Sequence, residues 1–258
     1  MVGTVIAKVS GASGGATLAV EGGESSTTYE LSKTDGSSGE YLKTDGSGNL
    51  SFGAITTAGF IKYTVVTASD STFDLQSTTT KVVLEVQASG GTAGSGHSSG
   101  YNGGSGGGGA YARKLLTGIT GSSDKLNITI GSVAGVAGSG TTTSVAQAGT
   151  ASFTTITCAG GSGGATAGGS SQGDGGAGGA VPTTGDFNVG GGNGATGGGG
   201  VGNVSGGSWM SRGSQRMTAS GGVGVTSIGY GGGGNASYSG SHAGGAGGSA
   251  VVIVWEYA

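Results

Sequence analysis

The stretch GGAGGAVPTTGDFNVGGGNGATGGGG, Gly175 to Gly200, is half glycine, and its reading decides the fold. It is either a flexible linker or a segment in which glycine is the building material. The whole chain poses the same choice, since 67 of its 258 residues are glycine and 1 is proline. Average proteins hold ~7% glycine. Collagen is a poor fit, because a triple helix needs glycine at every third position together with abundant proline. Disorder fits no better. Disordered chains are poor in apolar residues and rich in charge, whereas this one is 33% hydrophobic and 9% charged.

Several runs repeat with a period of three: GGSGGA (Gly160 to Ala165), GGAGGA (Gly175 to Ala180) and GGAGGS (Gly244 to Ser249). Three residues per turn is the repeat of the polyproline II conformation, in which six residues span roughly 19 Å without internal hydrogen bonds. Every backbone N–H and C=O must then find a partner in a neighbouring run or in water. Glycine on two of three faces allows close approach with N–H···O and Cα–H···O contacts. The conformational cost is about 0.5–1 kcal/mol per glycine relative to alanine, so only a cooperative lattice of such runs is expected to hold. On this reading Gly175–Gly200 is the end of one extended helix, a loop, and the start of another. The alternative is flexible glycine loops between strands.

The rest of the chain alternates as strands do. Val5, Ala7 and Val9, then Leu18 and Val20, lie among polar or small neighbours, the pattern of half-buried strands. LSKTDGSSGEY and LKTDGSGNLSF repeat Lys-Thr-Asp-Gly, with Lys33 and Lys43 one repeat apart; Asp-Gly is a hairpin-turn signal. Residues 1–57 therefore read as a small β-rich module and 58–258 as a glycine-rich domain. In the latter, strands over 60–88, 110–158 and 250–257 frame polyglycine runs at 103–109 and 160–248. Val82, Leu84 and Val86 precede the glycine region, and Val251, Ile253, Trp255 and Tyr257 follow it; these flanking strands are expected to share one sheet. No stretch holds a helical apolar period.

A net charge of −3 argues against a nucleic-acid partner. No apolar run approaches the ~20 residues of a membrane helix, so no membrane insertion is expected, and the N-terminus shows no apolar leader core. Cys158, the single cysteine, excludes an intrachain disulfide. No active site is expected. The G-x-G-x-x-G at Gly104–Gly109 and the G-x-S-x-G at Gly160–Gly164 arise by chance in glycine-rich text, and no G-K-[ST] follows a glycine run. His97 and His242 lie far apart with one cysteine between them, which does not make a usual zinc site. DGSGNL from Asp45 departs from a calcium loop at Leu50 and Thr56. Asp174 and Asp186 alone cannot supply the calcium nonapeptide repeat. No metal or cofactor is expected.

The inserts between glycine runs carry the chemistry. HSSGYN holds His97, Tyr101 and Asn102; VPTTGDFN holds Asp186, Phe187 and Asn188; SWMSRGSQRM holds Trp209, Met210, Arg212, Gln215 and Arg216; NASYSGSH holds Asn235, Tyr238 and His242. Aromatic and Arg anchors dominate binding interfaces, and loops on rigid scaffolds carry recognition. Trp209 with Arg212 and Arg216 is the densest group. These side chains serve either as receptor contacts or as caps and subunit contacts at the ends of the glycine stack.

TKVVLEVQASGG, GGSGGGGAYARKLL, LNITIGSVAG, the long glycine runs and GGAGGSAVVIVWEY together resemble the glycine-rich domains of bacteriophage tail fibres and fibre-tip adhesins, over roughly residues 80–258. YLKTDGSGNLSFG is similar to phrases of phage fibre proteins. The resemblance implies an all-β fold with packed polyglycine II helices, variable loops that meet a host-cell receptor, and a homotrimeric fibre. The partners it implies are a host-surface glycan or outer-membrane protein, and other virion proteins attached through residues 1–57. A capsid decoration or head fibre protein is the alternative placement in the virion. An ice-binding protein, whose bundles of GGX helices present a flat regular face, is the alternative from another class.

Overall fold

β-Branched and aromatic residues in alternation leave the backbone little choice but extended conformation, and every regular element described is a β-strand. The computed structural model describes residues 4–9, 16–21, 28–30, 37–38, 40–44, 50–54, 59–150, 152–198, 204–214, 222–237 and 240–258. The chain divides into two compact units, Met1–Ala58 and Gly59–Ala258.

In the first unit β1 (Thr4–Val9), β2 (Ala16–Glu21) and β3 (Thr28–Glu30) form an antiparallel sheet in that order, with Val5 opposite Val20 and Ala7 opposite Leu18. β4 (Glu40–Thr44) and β5 (Leu50–Ala54) form a separate antiparallel pair, with Leu42 opposite Phe52. The Asp-Gly turns of the Lys-Thr-Asp-Gly repeat lie outside the described residues.

The second unit contains two antiparallel sheets. The five-stranded sheet runs β13 (Phe187–Val189), β9 (Tyr111–Thr117), β8 (Lys81–Gln87), β14 (Val251–Tyr257), β6 (Phe60–Val66). The four-stranded sheet runs β12 (Ile156–Cys158), β11 (Thr143–Gln147), β10 (Lys125–Thr129), β7 (Asp70–Asp74). One core joins them. Val82, Leu84, Val86, Val252 and Val254 from the larger sheet meet Leu126, Ile128, Val145 and Ile156 from the smaller. The strands that flank the glycine region do share a sheet: β8 and β14 pair from Lys81–Tyr257 to Gln87–Val251. Their register sets Val82, Leu84 and Val86 beside Glu256, Val254 and Val252, so Val251, Ile253, Trp255 and Tyr257 occupy the other face. On the core face, Glu256 is fully buried. Its Oε2 accepts from the Gln76 amide and the Thr79 hydroxyl, both at 2.7 Å, and its Oε1 lies 3.5 Å from Lys62 Nζ. Cys158 is equally enclosed. Its thiol donates to the Val86 carbonyl, and burial pushes its pKa up to about 12.

Glycine-rich segments continue directly from these strands. The chain leaves β8 at Ala88, runs to His97, turns, and returns through residues 102–110 into β9. All of 102–110 is buried. This central segment donates to 159–165 (Gly104 N to Ala165 O, Gly107 N to Ser162 O, Ala110 N to Ala159 O), to 192–195 (from Ser105 and Gly108) and to 231–234 (from Gly106 and Gly109). It accepts from 91–94 (Gly91 and Gly94), from 173–179 (Gly173, Gly176 and Gly179) and from Gly206. Bonds to any one neighbour recur every third residue, and donating and accepting neighbours alternate around it.

The neighbours also bond to one another in a closed ring. Gly161 and Gly164 donate to Ser89 and Thr92; Ser162 donates to Ala177, Gly191 to Gly179, Gly192 to Gly207, Gly233 to Gly206 and Gly234 to Gly91. A further segment, 242–250, flanks 90–96 and enters β14. Buried polar backbone thus finds partners without sheet or helix, as it must. Across the opening stretch and the residues just before it, Gly173, Gly176 and Gly179 accept from Gly197, Gly194 and Gly191, with β13 and its loop between.

The closeness of the segments explains the composition. A methyl group on Gly104 would lie 1.8 Å from the Asp174 carbonyl oxygen, and one on Gly107 would lie 2.0 Å from that of Ala177. No side chain fits there. Gly107→Ala is therefore expected to lower stability by about 3 kcal/mol or more, because a neighbouring segment must move away. Gly135→Ala, where a methyl meets nothing within 4 Å, is expected to stay within about 0.5 kcal/mol. Thermal and chemical denaturation of the two variants checks the difference.

Candidate functional site

Because glycine segments carry almost no side chains, contact chemistry is confined to the turns that join them and to the sheets. The turns fall at two ends of the glycine lattice. At the end remote from the sheets lie the turns 97–101 and 168–172, with Gly198, Ser237 and residues 240–242 beside them. At the sheet end lie 181–187, 208–211 and 227–231. The candidate residues separate accordingly.

At the remote end the His97–Tyr101 turn closes through His97 N to Tyr101 O (2.9 Å) and Gly100 N to His97 O (3.0 Å), with Gly100 at φ 87°, in the left-handed region. The imidazole Nδ1 accepts from the Ser99 amide at 3.1 Å and lies 3.1 Å from the Ser99 hydroxyl. Adjacent turns are tied to this one. Gly240 N donates to His97 O, and Gly96 N donates to His242 O, which also accepts from the Ser237 hydroxyl at 2.8 Å. Gln172 reaches across from the 168–172 turn, its Oε1 accepting from Asn102 N at 2.6 Å. His97, Tyr101 and His242 are half-buried, with Ser98, Ser99 and Ser241 exposed around them.

Asn102 and Asn235 do not join that surface. They are 3% and 0% exposed and belong to the lattice. Asn102 Nδ2 donates to Gly198 O, and Asn235 Oδ1 accepts from the Ser105 hydroxyl at 3.3 Å. Asn102 thus serves a backbone carbonyl and Asn235 a buried hydroxyl.

At the sheet end Trp209 stacks on Tyr111 (centroids 5.6 Å apart, 27° between planes) and meets the edge of Phe187 at 5.0 Å. Met210 N donates to Gln87 Oε1 at 3.4 Å, while Gln87 Nε2 donates to the carbonyls of Ala88, Gly109 and Ala110, joining sheet to lattice. Arg212 is exposed. Asn188 closes its loop on Gly185, accepting from its amide and donating to its carbonyl. Asp186 extends the short β13 edge. Its Oδ2 accepts from Leu115 N at 2.8 Å, and Lys114 Nζ lies 3.5 Å from Oδ1. That amide, and then the lysine charge, hold the Asp186 carboxyl below its ordinary range. Gln215, Arg216 and Tyr238 lie outside the described residues.

Glu85 and Tyr111 are not singled out by the sequence, and Trp255 is legible there only as a strand residue. Glu85 accepts from Trp255 Nε1 at 3.0 Å and from the Tyr111 hydroxyl at 2.9 Å. Burial, reinforced by the Glu85 carboxylate, raises the Tyr111 pKa. The available signal was SAVVIVWEYA, which is apolar at both parities and so marks a strand with two apolar faces.

Two concavities accompany these groups. One of ≈ 380 Å³ lies between the β9–β10 connection and Ser152–Thr154, with Lys114 as its only ionisable lining residue. The other, ≈ 300 Å³, is lined by Val83, Arg113, Leu115, Asp186 and Phe187. Among the described residues no group of three or more His, Cys, Asp or Glu could hold a metal ion, and no helix is long and apolar enough to cross a membrane. No protein-family model matches the chain, and no curated protein matches its sequence.

A carboxyl with a lowered pKa contributes stability that is complete above the ordinary carboxylate range, near 3.9. That contribution is lost as pH falls through the lowered value. The Leu115 amide resonance is therefore expected to titrate with a midpoint below 3.9. In Asp186→Asn that step should disappear. An NMR pH titration of wild type and variant reads both outcomes.

Proposed function

We propose that the chain is a non-enzymatic bacteriophage virion fibre protein that meets the host-cell surface through the turns at the remote end of its glycine lattice. The glycine segments pack as polyglycine II helices; the hydrogen bonds that return to the same neighbour every third residue support this reading. The observation that carries the binding assignment is the convergence of His97, Tyr101, Gln172 and His242 at one end of a scaffold fixed mainly by backbone hydrogen bonds. Loops held by a rigid framework lose little entropy on binding. Aromatic, imidazole and amide groups suit a glycan or an outer-membrane protein loop. Residues 1–57 attach the chain to other virion proteins, and three copies assemble. The same scaffold on the capsid surface is the second placement.

Adsorption of labelled full-length protein to host cells tests the assignment. His97→Ala, Tyr101→Ala and His242→Ala combined are expected to reduce binding at least about tenfold, the loss of a small cluster of anchors, with the melting temperature retained. Trp209→Ala with Arg212→Ala, at the sheet end, is expected to leave binding intact. The reverse pattern assigns attachment to the sheet end. Absence of cell binding together with decoration of purified capsids overturns the adhesin role.

A further inference from the structure

One face of the five-stranded sheet forms the core, and the other is apolar yet open. The registers align Tyr63, Trp255, Val83 and Leu115 in one row across β6, β14, β8 and β9. The next row is Val65, Ile253, Glu85, Arg113 and Phe187. A third row, nearer the glycine lattice, is covered where Trp209 lies on Tyr111 and Met210 reaches Gln87. Among the described residues nothing comparable covers the first two, apart from the edge contact of Trp209 with Phe187. Phe60 is 56% exposed, Tyr63 57%, Leu115 50%, Val65 46% and Phe187 44%. With a fully exposed aromatic side chain contributing 150–250 Å², the open apolar area is on the order of 500 Å². A standard interface buries about 800 Å² per partner, polar rim included, and a contiguous apolar patch of several hundred Å² marks an interaction surface.

The face also has relief and balanced charge. Phe60, Tyr63, Trp255 and Tyr257 form an aromatic ridge along β6 and β14, with ring centroids 5.2 to 6.2 Å apart. Toward the other edge lies the ≈ 300 Å³ hollow between Val83, Arg113, Leu115, Asp186 and Phe187. Glu85 already accepts from Trp255 and Tyr111, and the hollow is lined by one cation, Arg113, and one anion, Asp186, which lies 3.5 Å from Lys114. Two such faces can meet without an excess of either sign.

We propose that this face seats a second copy of the chain, the aromatic ridge of one copy filling the Val83–Leu115–Phe187 hollow of the next. Ridge and hollow are different patches, so copies related by a rotation that closes satisfy every face. The proposal locates the self-association of the preceding reading and is independent of the host-attachment role.

Full-length protein is measured by sedimentation or light scattering as wild type, Tyr63→Glu, Leu115→Arg and a control, Val136→Glu, at an exposed position of the β10–β11 connection. Wild type and control are expected to be oligomeric. Each face variant is expected to weaken assembly about 100-fold or more, as loss of a buried anchor does, with an unchanged far-ultraviolet spectrum. Mixed Tyr63→Cys and Leu115→Cys chains are expected to form a disulfide joining one of each. The two positions lie three strands apart, about 14 Å, so one chain cannot bridge them. Face variants that assemble like wild type, or mixed cysteine chains that never join, overturn the proposal and leave self-association standing. A monomeric wild type overturns both.

Discussion

The constraint on which everything else depends is the distance between neighbouring glycine segments. Backbone N–H groups of one segment reach the carbonyls of the next at hydrogen-bonding length only because no β-carbon stands between them; at Gly104, Gly106 and Gly107 even a methyl group would overlap a carbonyl oxygen. In ordinary folds side chains fill the interior and the backbone pairs locally. Here the interior is the backbone itself. Each hydrogen bond contributes little net, about 0.5–1.5 kcal/mol. Leaving a buried donor or acceptor without a partner costs more, so the segments stand or fall together.

Two kinds of order meet at the ends of the strands. The sandwich below is held by hydrophobic burial among Val82, Leu84, Val86, Ile128, Val145 and Val254. It brings β8, β9, β12, β13 and β14 to positions from which glycine segments emerge at lattice spacing. Gln87 serves the junction, its amide donating to Gly109 and Ala110 where strand geometry gives way. The side chains that survive inside the lattice are small or amidic. Ser105 and Asn235 bond each other, and Asn102 bonds Gly198. Such residues repair the pattern where loops interrupt it.

Much of the strand content could be read directly, because Val, Ile, Thr and aromatic residues alternate in FIKYTVV, TKVVLEVQ and SAVVIVWEYA, and the pairing of β8 with β14 follows from their place on either side of the glycine region. The period of three was equally visible in GGAGGA. What the residues could not reveal was which end of the lattice each insert reaches. That depends on how many times the chain has crossed, a property of the whole path. Trp209 and His97 therefore look alike in sequence yet lie at opposite ends. Asn102 and Asn235 resemble loop residues, but neighbouring carbonyls and hydroxyls that come from distant positions draw them inward. The two-faced apolar pattern of β14 announced an open sheet face, although only the register with β6, β8 and β9 shows how far that face extends.

The order in which ribosomes deliver this chain opposes the order in which it must be completed. The central segment is made early, yet its donors Gly106 and Gly109 wait for Gly234 and Gly231, and β14, made later than every other strand among the described residues, inserts between β8 and β6. Long-range closure of this kind is slow and leaves strand edges open meanwhile. Acquisition of native structure thus waits for synthesis of Val251–Tyr257, and the low charge and scarcity of large apolar groups in the glycine tracts made before it limit what can go wrong during the wait.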